Sequence, residues 1–303
     1  MARKRLDRRQ FLEGSLRGAA AVSAGLWARG RALGADEGVR VALVGCGGRG
    51  QYVIRGMIEQ GATAVCLCDL HEDRRSAAAR FIAPVQAKAP RLESDMSRVF
   101  AAADVDAVVV ATPDHWHAAA SIAACRAGQD VYVEKPHSDD LRESRLLLEV
   151  ARQTGRVLQV GTQNRSAPYN LAALDYVRSG KLGDVRLVKV YNLKPGGPFH
   201  LGDPGQPPPG FDWDAWLGPA PARPYHRRIF EGGWHHFWAF SGGDLCDDGI
   251  HQLDLAMMLM GDPGMPRAVV ATGGRLEHRG DDSEVPDLLV ATYEFDDFVL
   301  TLE

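Results

Sequence analysis

Short apolar and β-branched runs alternate along the chain with longer helix-forming segments. The runs lie at 39–44, 64–68, 107–111, 130–133 and 157–160. The segments between them, each long enough for a crossover helix, lie near 49–60, 73–82, 94–103, 115–128 and 139–154. Strands that alternate with helices predict a doubly wound parallel sheet with helices on both faces. We therefore expect an N-terminal α/β domain over residues 38–162.

The pattern of apolar and polar residues changes after Gly161. A stretch rich in glycine and proline, from Lys194 to Pro224, carries few periodic signals. A long excursion of this kind is usually a binding loop or an arm. The pattern around it predicts two helices, near 168–179 and 249–260, and three strand-forming runs, at 185–191, 267–276 and 287–302.

These elements predict a second domain over residues 163–303. Its mixture of strands and helices is typical of the α+β class with a mostly antiparallel open sheet. We expect the chain to form a homo-oligomer through this sheet. The final residues, 298–303, have a strand pattern without a cap, turn or tail, and we expect the C-terminal part of the domain to be missing.

Charge is unevenly distributed over the 303 residues, whose formal net charge is −4. Residues 1–35 hold eight lysines and arginines against two acids, which leaves 27 basic and 37 acidic residues in the remainder. The net negative charge of residues 36–303 repels the phosphate backbone of a nucleic acid, so we expect no nucleic-acid partner.

The basic N-terminus has the order of a targeting sequence. The pair Arg8-Arg9 precedes a mildly apolar stretch and the small residues 32–35. This arrangement resembles a twin-arginine signal peptide over 1–35 and predicts export to the periplasm or another extracytoplasmic space. The apolar stretch is 11 residues long, too short for a bilayer core of about 30 Å, so we expect no stable membrane span. The alternative is an amphipathic or disordered arm with chance arginines.

The five cysteines are an odd number, and Cys66 and Cys68 lie two apart in an apolar run. This usage is typical of small core residues rather than of a disulfide framework. It agrees with the twin-arginine route, which exports proteins that have already folded.

The strongest local signal is a strand that enters a glycine-rich turn at the start of a helix. The glycines of a Gly-x-Gly-x-x-Gly motif supply a tight turn, close approach to a pyrophosphate, and close packing of helix on strand. We expect this turn to bind the pyrophosphate of a dinucleotide. Its residues are Gly45, Cys46, Gly47, Gly48, Arg49 and Gly50.

The next strand ends in Asp69, 24 residues beyond Gly45. An acid at this point meets a ribose hydroxyl of the cofactor. The turn and the acid together predict a dinucleotide-binding domain of the Rossmann type. The carboxylate repels a 2′-phosphate and so favours NAD over NADP, although Arg74 and Arg75 keep NADP possible.

The fourth strand ends in Thr112-Pro113, and His117 follows in the next helix. Open α/β sheets bind ligands at the carboxyl ends of their strands. We expect Thr112, Pro113 and His117 to lie beside the nicotinamide. The alternative for His117 is an exposed position at the start of the helix.

The fifth strand ends in Glu134-Lys135-Pro136. Together with the glycine turn, Asp69 and Thr112-Pro113, in this order, it resembles the Gfo/Idh/MocA family of glucose-fructose oxidoreductases and inositol dehydrogenases. The Glu-Lys-Pro sequence is the most specific signature of that family. The resemblance implies that Glu134 and Lys135 contact the cofactor.

The resemblance continues in the second domain and so covers about residues 38–303. Residues 242–254, which include Asp247 and His251, match the family's helix that bears an acid and a histidine. If one helix includes both residues, their spacing of four places them on one face.

The resemblance assigns Lys135, Asp247 and His251 to the substrate hydroxyl. Removing a hydride from a secondary alcohol also requires removing the hydroxyl proton. We therefore expect His251 to act as the base and Asp247 as its partner or as a substrate ligand. Lys135 would stabilise the developing alkoxide. His137, after Pro136, departs from the small or aliphatic residue that is more usual there, which leaves the substrate's identity open.

A metal site formed by His235, His236, Asp247 and His251 is the alternative for this cluster, since histidine and carboxylate suit zinc or manganese. Adjacent histidines point in different directions on a regular element, so we expect no metal.

The resemblance implies an exported NAD(P)-dependent oxidoreductase that acts on a secondary hydroxyl of a sugar, sugar acid or cyclitol. One alternative is an NAD-retaining glycosidase that works by oxidation, elimination and reduction. Another is a non-catalytic dinucleotide-binding sensor, against which the presence of Lys135, Asp247 and His251 counts. Because an exported enzyme meets no pool of free dinucleotide, we expect the cofactor to be retained through repeated turnovers.

Overall fold

The computed structural model describes residues 38–194 and 196–303, which form two compact units. The first contains the described chain up to Gly161 together with Gly205–Tyr225, and the second contains Thr162–Pro204 and His226–Glu303. The first crossing between the units lies within one residue of the expected boundary. Residues 205–225, however, belong to the first unit and not to the second domain where the sequence analysis placed them. The predicted signal peptide, 1–35, lies outside the described residues.

A six-stranded parallel sheet forms the centre of the first unit. Its strands are β1 (Arg40–Val44), β2 (Thr63–Cys68), β3 (Arg91–Glu93), β4 (Ala107–Val110), β5 (Asp130–Val133) and β6 (Leu158–Val160). The order is β3-β2-β1-β4-β5-β6, and all neighbours are parallel. Strands on both sides of β1 define a doubly wound α/β sheet, which confirms the predicted fold class.

Strand β3 was not predicted from the sequence. It has three residues, of which only Leu92 is apolar, and that side chain is 47% exposed. A short edge strand of this kind lacks the apolar run from which strands are predicted.

The five crossover helices expected in the first unit are present. They are α1 (Gly48–Glu59), α2 (Glu72–Ile82), α3 (Met96–Phe100), α4 (Asp114–Arg126) and α5 (Leu141–Thr154). Successive residues of β1 enter different core clusters, because Val41 and Leu43 pack with Ile54 of α1 while Ala42 and Val44 lie in the cluster that contains Leu147 of α5. The sheet is therefore buried on both faces.

The second unit contains a four-stranded sheet in the order β7-β10-β9-β8. In chain order the remaining elements are α6 (Pro168–Arg178), β7 (Leu187–Val190), α7 (Trp213–Leu217, in the first unit), α8 (Arg227–Phe230), α9 (Gly243–Asp247), α10 (Gly249–Leu259), β8 (Ala268–Gly274), β9 (Leu288–Glu294) and β10 (Val299–Leu302). Only the β10–β7 pair is parallel. The mixed, mostly antiparallel sheet confirms the prediction for the second domain.

Helix α10 covers one side of this sheet. Its Ala256 packs in a core cluster with Phe295, Phe298 and Leu300. The run expected as one strand over 287–302 is two strands joined by a turn, in which the Phe295 N–H donates to the Phe298 carbonyl oxygen at 2.9 Å. Across the described parts of the chain, no helix combines the length and the apolar character needed to cross a bilayer.

Four of the five cysteines are core residues, as their pattern predicted. Cys46, Cys66, Cys68 and Cys125 are buried, Cys246 is half-buried, and all five are free. Burial raises the pKa of the Cys66 thiol to about 11, so this thiol stays protonated and behaves as a small apolar group.

Candidate functional site

The glycine turn joins β1 to α1 in a conformation that requires glycine at two positions. Gly45 has a φ of 95°, and a Cβ added there would lie 2.4 Å from the Ala111 carbonyl oxygen. A Cβ on Gly50 would lie 2.1 Å from the Gly45 carbonyl oxygen. Any side chain at these positions would push the helix away from the strand.

The middle of the turn is open. A Cβ on Gly47 or on Gly48 would meet no atom within 4 Å. The first N–H groups of any α-helix have no intrahelical acceptor. Helix α1 begins here with no side-chain cap and no acid in its first turn that would take their place. An open glycine turn at the positive end of a helix fits the pyrophosphate of a dinucleotide.

Asp69, at the end of β2, is held beside this turn. Its Oδ2 accepts from the Cys46 N–H at 2.8 Å, and its Oδ1 accepts from the His71 N–H at 2.9 Å. Arg75 donates to the Asp69 carbonyl oxygen. The carboxylate therefore has a fixed position next to the pyrophosphate turn, where the sequence analysis expected the ribose to bind.

Glu134, at the end of β5, connects that strand to the glycine turn. Arg49 Nε lies 2.8 Å from Glu134 Oε1, and the Tyr132 hydroxyl donates to the same oxygen at 3.3 Å. The Glu134 residue is only 4% exposed. Burial, with the nearby Glu134 carboxylate, raises the pKa of the Tyr132 phenol. The structure thus gives both Glu134 and Arg49 a role in holding the turn.

Lys135 follows directly and precedes a cis peptide bond to Pro136. The glycine turn, Asp69, Thr112-Pro113 and Lys135 all follow the carboxyl ends of neighbouring strands of one parallel sheet. Within the first unit, the predicted residues therefore lie along one sheet edge, which is where open α/β sheets bind their ligands.

His117 is buried below this edge, with 1% of its surface exposed. Its Nδ1 lies 2.6 Å from the Pro136 carbonyl oxygen, and its Nε2 lies 2.8 Å from the Thr112 carbonyl oxygen. The alternative prediction, in which His117 is exposed at the start of its helix, is therefore wrong. Because both ring nitrogens face backbone oxygens, His117 ties the end of β4 to the turn after Lys135 and does not offer a nitrogen to the cofactor.

A pH dependence of stability follows from this burial. Burial lowers the pKa of the His117 imidazole, against the two carbonyl oxygens, which favour the charged ring. An unfolded histidine takes up its proton near pH 6.5, so below that pH the unfolded state binds more protons and the free energy of unfolding decreases. We expect His117→Gln to unfold at lower temperature at pH 7.5, and to lose less further stability than the unmutated protein between pH 7.5 and 5.5.

Thermal unfolding followed by circular dichroism at several pH values measures both effects. Burial also lowers the pKa values of the His137 and His236 imidazoles. The His117→Gln variant therefore removes only part of the pH dependence of stability. His200→Gln, which removes a 61% exposed imidazole, is the matched control. A His117→Gln curve parallel to that of the unmutated protein would contradict the assignment.

In the second unit, Asp247 and His251 do not share one helix. Asp247 is the last residue of α9, and α10 begins at Gly249 after a break at Asp248. His251 lies in the first turn of α10, where its N–H donates to the Asp248 carbonyl oxygen at 3.0 Å. The condition for the shared face, a single helix that includes both residues, is therefore not met.

Asp247 instead pairs with His235. Asp247 Oδ2 lies 2.6 Å from His235 Nδ1, which belongs to a 3₁₀ turn over Gly233–His236. The Asp247 residue is 7% exposed, and the Trp234 ring lies 3.5 Å from the His235 ring. From the sequence, His235 was considered only as a candidate metal ligand.

Asp254, also within the matched stretch 242–254, has a structural role. Its carboxylate accepts from Arg165 Nε at 2.8 Å, and Arg165 also pairs with Asp262 at 2.7 Å. These two acids raise the pKa of the Arg165 guanidinium, and the arginine lowers the pKa of Asp262. The three groups fix α10, and with it His251, against the turn that follows β6.

The fold and these sites define a class of protein, and comparison with known families agrees. Residues 39–162 match the model of an oxidoreductase family with an NAD-binding Rossmann fold. Residues 198–285 match that of an oxidoreductase family C-terminal alpha/beta domain. The protein has an NAD-binding Rossmann domain followed by an α/β domain. The chain belongs to the Gfo/Idh/MocA family of oxidoreductases, as its motifs indicated.

Several characterised proteins are similar to this chain. Inositol 2-dehydrogenase of Rhizobium meliloti is 31% identical over 176 residues, which are 58% of this chain and 42% of that protein. A glycosyl hydrolase family 109 protein of Stenotrophomonas maltophilia is 29% identical over 234 residues, 71% of this chain and 48% of that protein. This chain therefore spans about half the length of these relatives.

Among solved structures, the WlbA dehydrogenase of Bordetella pertussis, in complex with NADH and UDP-GlcNAcA, has a TM-score of 0.66. It is 22% identical, and the match covers 88% of this chain and 71% of that one. At this identity the likeness shows a common fold.

Proposed function

We propose that this chain transfers a hydride between NAD and a secondary hydroxyl of a sugar, sugar acid or cyclitol. The observation that carries the proposal is the open glycine turn at the start of α1, with Asp69 fixed beside it and Lys135 on the same sheet edge. The similarity to inositol 2-dehydrogenase supports a cyclitol or sugar as substrate. When bound, NAD would supply the hydride acceptor.

The residues of the chain supply the proton chemistry. Loss of a hydride from an alcohol leaves its hydroxyl proton to be taken by a base, and an imidazole near neutrality is suited to take it. We assign this proton to His251. The Lys135 ammonium stabilises negative charge on the substrate oxygen. Asp247, which is paired with His235, holds the substrate or orients the His251 imidazole.

A single-turnover experiment tests the proposal. The NAD-loaded protein is mixed with sugars, sugar acids and cyclitols that carry deuterium on the carbinol carbon, and the cofactor is analysed by mass spectrometry. We expect deuterated NADH from at least one compound, and unlabelled NADH from the same compound without deuterium. Bound NAD that gains no deuterium from any member of these three classes would refute the proposal.

A second candidate is the glycosidase reaction of oxidation, elimination and reduction, which the similarity to a glycosyl hydrolase family 109 protein favours. It uses the same hydride transfer but returns the hydride to the sugar, so no NADH accumulates. Release of the aglycone from aryl glycosides without net reduction of NAD would establish this reaction. Oxidised sugar without aglycone release would exclude it.

Asp69 makes the cofactor choice testable. Its carboxylate repels a 2′-phosphate, so we expect the protein to bind NAD more tightly than NADP. Asp69→Ser is expected to narrow that difference about tenfold or more, because it removes the repulsion and a ribose ligand together. Titration of NADH and NADPH fluorescence measures both affinities, with Asp95→Ser at the exposed N-cap of α3 as control. A preference for NADP in the unmutated protein would show that Arg74 or Arg75 dominates.

Export and oligomerisation also belong to the proposal. The twin-arginine pattern over 1–35 supports export. Edge strand β8 supports a homo-oligomer, because its Val269 and Val270 side chains are 54% and 64% exposed. An exposed apolar edge strand is a favourable surface for pairing with another chain. The molar mass in solution tests the second point, and fractionation of the producing cells tests the first.

A further inference from the structure

Residues 205–225 form a closed segment with a small core of its own. The Gly205 N–H donates to the Tyr225 carbonyl oxygen at 2.9 Å, so the two ends of the segment meet. Inside it, the Trp213 and Trp216 rings stack at 4.6 Å, and Trp213 Nε1 donates to the Arg223 carbonyl oxygen at 2.8 Å. A loop whose ends meet and whose side chains pack on each other is a compact structural module.

This 205–225 segment contacts the first unit at the start of α4, just beyond the end of β4. The Trp216 carbonyl oxygen accepts from Trp116 Nε1 at 2.9 Å and lies 3.1 Å from His115 Nε2. Gly218 packs so closely that an added Cβ would lie 1.9 Å from the Trp116 ring. His115 and Trp116 are both buried. The contact therefore excludes water and fixes the segment on the sheet edge.

A second contact lies just beyond the end of β2. The Phe211 ring lies 5.9 Å from the His71 ring, and Phe211 is only 9% exposed. The His71 N–H is one of the two backbone donors that fix the Asp69 carboxylate. Phe211 thus packs two residues from the acid assigned to the ribose.

The positions of the two contacts decide where the segment lies. Strand β1 lies between β2 and β4 in the sheet, and it leads into the glycine turn. A segment that touches the chain after β2 and the chain after β4 spans the sheet edge at the exit of β1. It therefore borders the place where the pyrophosphate and the adenosine ribose would bind.

From this arrangement we infer that the 205–225 segment is the outer wall of the dinucleotide site and retains bound NAD. The inference rests on the proposed function, since it requires NAD at the glycine turn and Asp69. A cofactor bordered by a packed wall can leave only when the wall yields, which slows dissociation more than association. Slow release is what an enzyme needs when it reuses one cofactor through many turnovers.

Two variants test the wall. Phe211→Ala removes the contact with His71 and leaves Trp216 in place. In the second variant two glycines replace residues 206–224, which is feasible because Gly205 and Tyr225 already meet. Phe81→Ala is the matched control, since it removes the same ring from α2 of the first unit, where that ring packs against Tyr52.

The readouts are the dissociation rate of NADH, followed by fluorescence after displacement with excess NAD, and the NAD released per chain on denaturation of freshly purified protein. We expect Phe211→Ala to accelerate dissociation about tenfold and the replacement of 206–224 to accelerate it further, with a loss of co-purified NAD. Phe81→Ala should stay within about threefold of the unmutated protein.

The outcomes separate the two proposals. If the unmutated protein binds no dinucleotide, the proposed function fails. If it binds NADH and Phe211→Ala, with unchanged circular dichroism, releases NADH no faster, the wall is refuted. Because Phe211→Ala keeps the stacked rings of Trp213 and Trp216 inside the segment, this result holds even if the longer replacement does not fold.

Discussion

Lys135→Met is expected to lower the rate of hydride transfer by about 100-fold or more, while NADH affinity stays within a few-fold. The ammonium stabilises charge that develops on the substrate oxygen only during the reaction, so its loss raises the barrier more than it weakens binding. Methionine keeps most of the length of the side chain and removes the charge. The neighbouring Glu134–Arg49 pair and the His117–Pro136 contact would hold the backbone in place.

Single-turnover kinetics with a deuterated substrate gives the rate, and NADH fluorescence gives the affinity. Lys189→Met is the control, because Lys189 is a half-exposed residue on β7 whose partner, Glu303, lies 3.9 Å away. An unchanged transfer rate in Lys135→Met would remove Lys135 from the mechanism. A loss of NADH binding alone would make it a cofactor ligand only.

His251→Asn is expected to lower turnover much more than His235→Asn. The difference would show that His251 is the base and that His235 acts through Asp247. General base catalysis contributes about 10²- to 10⁴-fold, so His251→Asn should lower turnover by at least about 100-fold at neutral pH. His235 contacts Asp247 at 2.6 Å and acts through it. We therefore expect His235→Asn to lower turnover by only about tenfold.

A double-mutant cycle makes the second assignment specific. Once Asp247→Asn has removed the carboxylate, adding His235→Asn should cost little more, because the two side chains act as a pair. His236→Asn is the matched control, since His236 stacks on Phe199 at 4.0 Å and contacts Ser283 rather than Asp247. A larger loss in His235→Asn than in His251→Asn would assign the proton to His235.

The strands and the glycine turn were predictable because they depend on local constraints. The buried strands are short runs of valine, leucine and alanine that enter core clusters on both faces. Gly45 and Gly50 are required by close backbone contacts within a strand–turn–helix unit. Asp69 follows from the same unit, since the end of the next strand is the nearest place for an acid that meets the ribose.

The contacts that tertiary packing decided are of another kind. His117 contacts the Pro136 carbonyl oxygen, 19 residues away, and Trp216 contacts Trp116, 100 residues away. The 205–225 segment therefore joined the first unit although its sequence lies among residues of the second. Periodicity describes which face of an element is apolar, but not which distant segment covers that face.

The site in the second unit shows the same division. Residue types and spacing identified Asp247 and His251, yet a one-residue break at Asp248 separates α9 from α10. Sequence alone thus determined the fold class, the dinucleotide turn and the residue types of the site. Tertiary structure decided that Asp247 pairs with His235, because the energy of a buried carboxylate depends on which polar group packing brings within reach, and spacing along the chain does not contain that information.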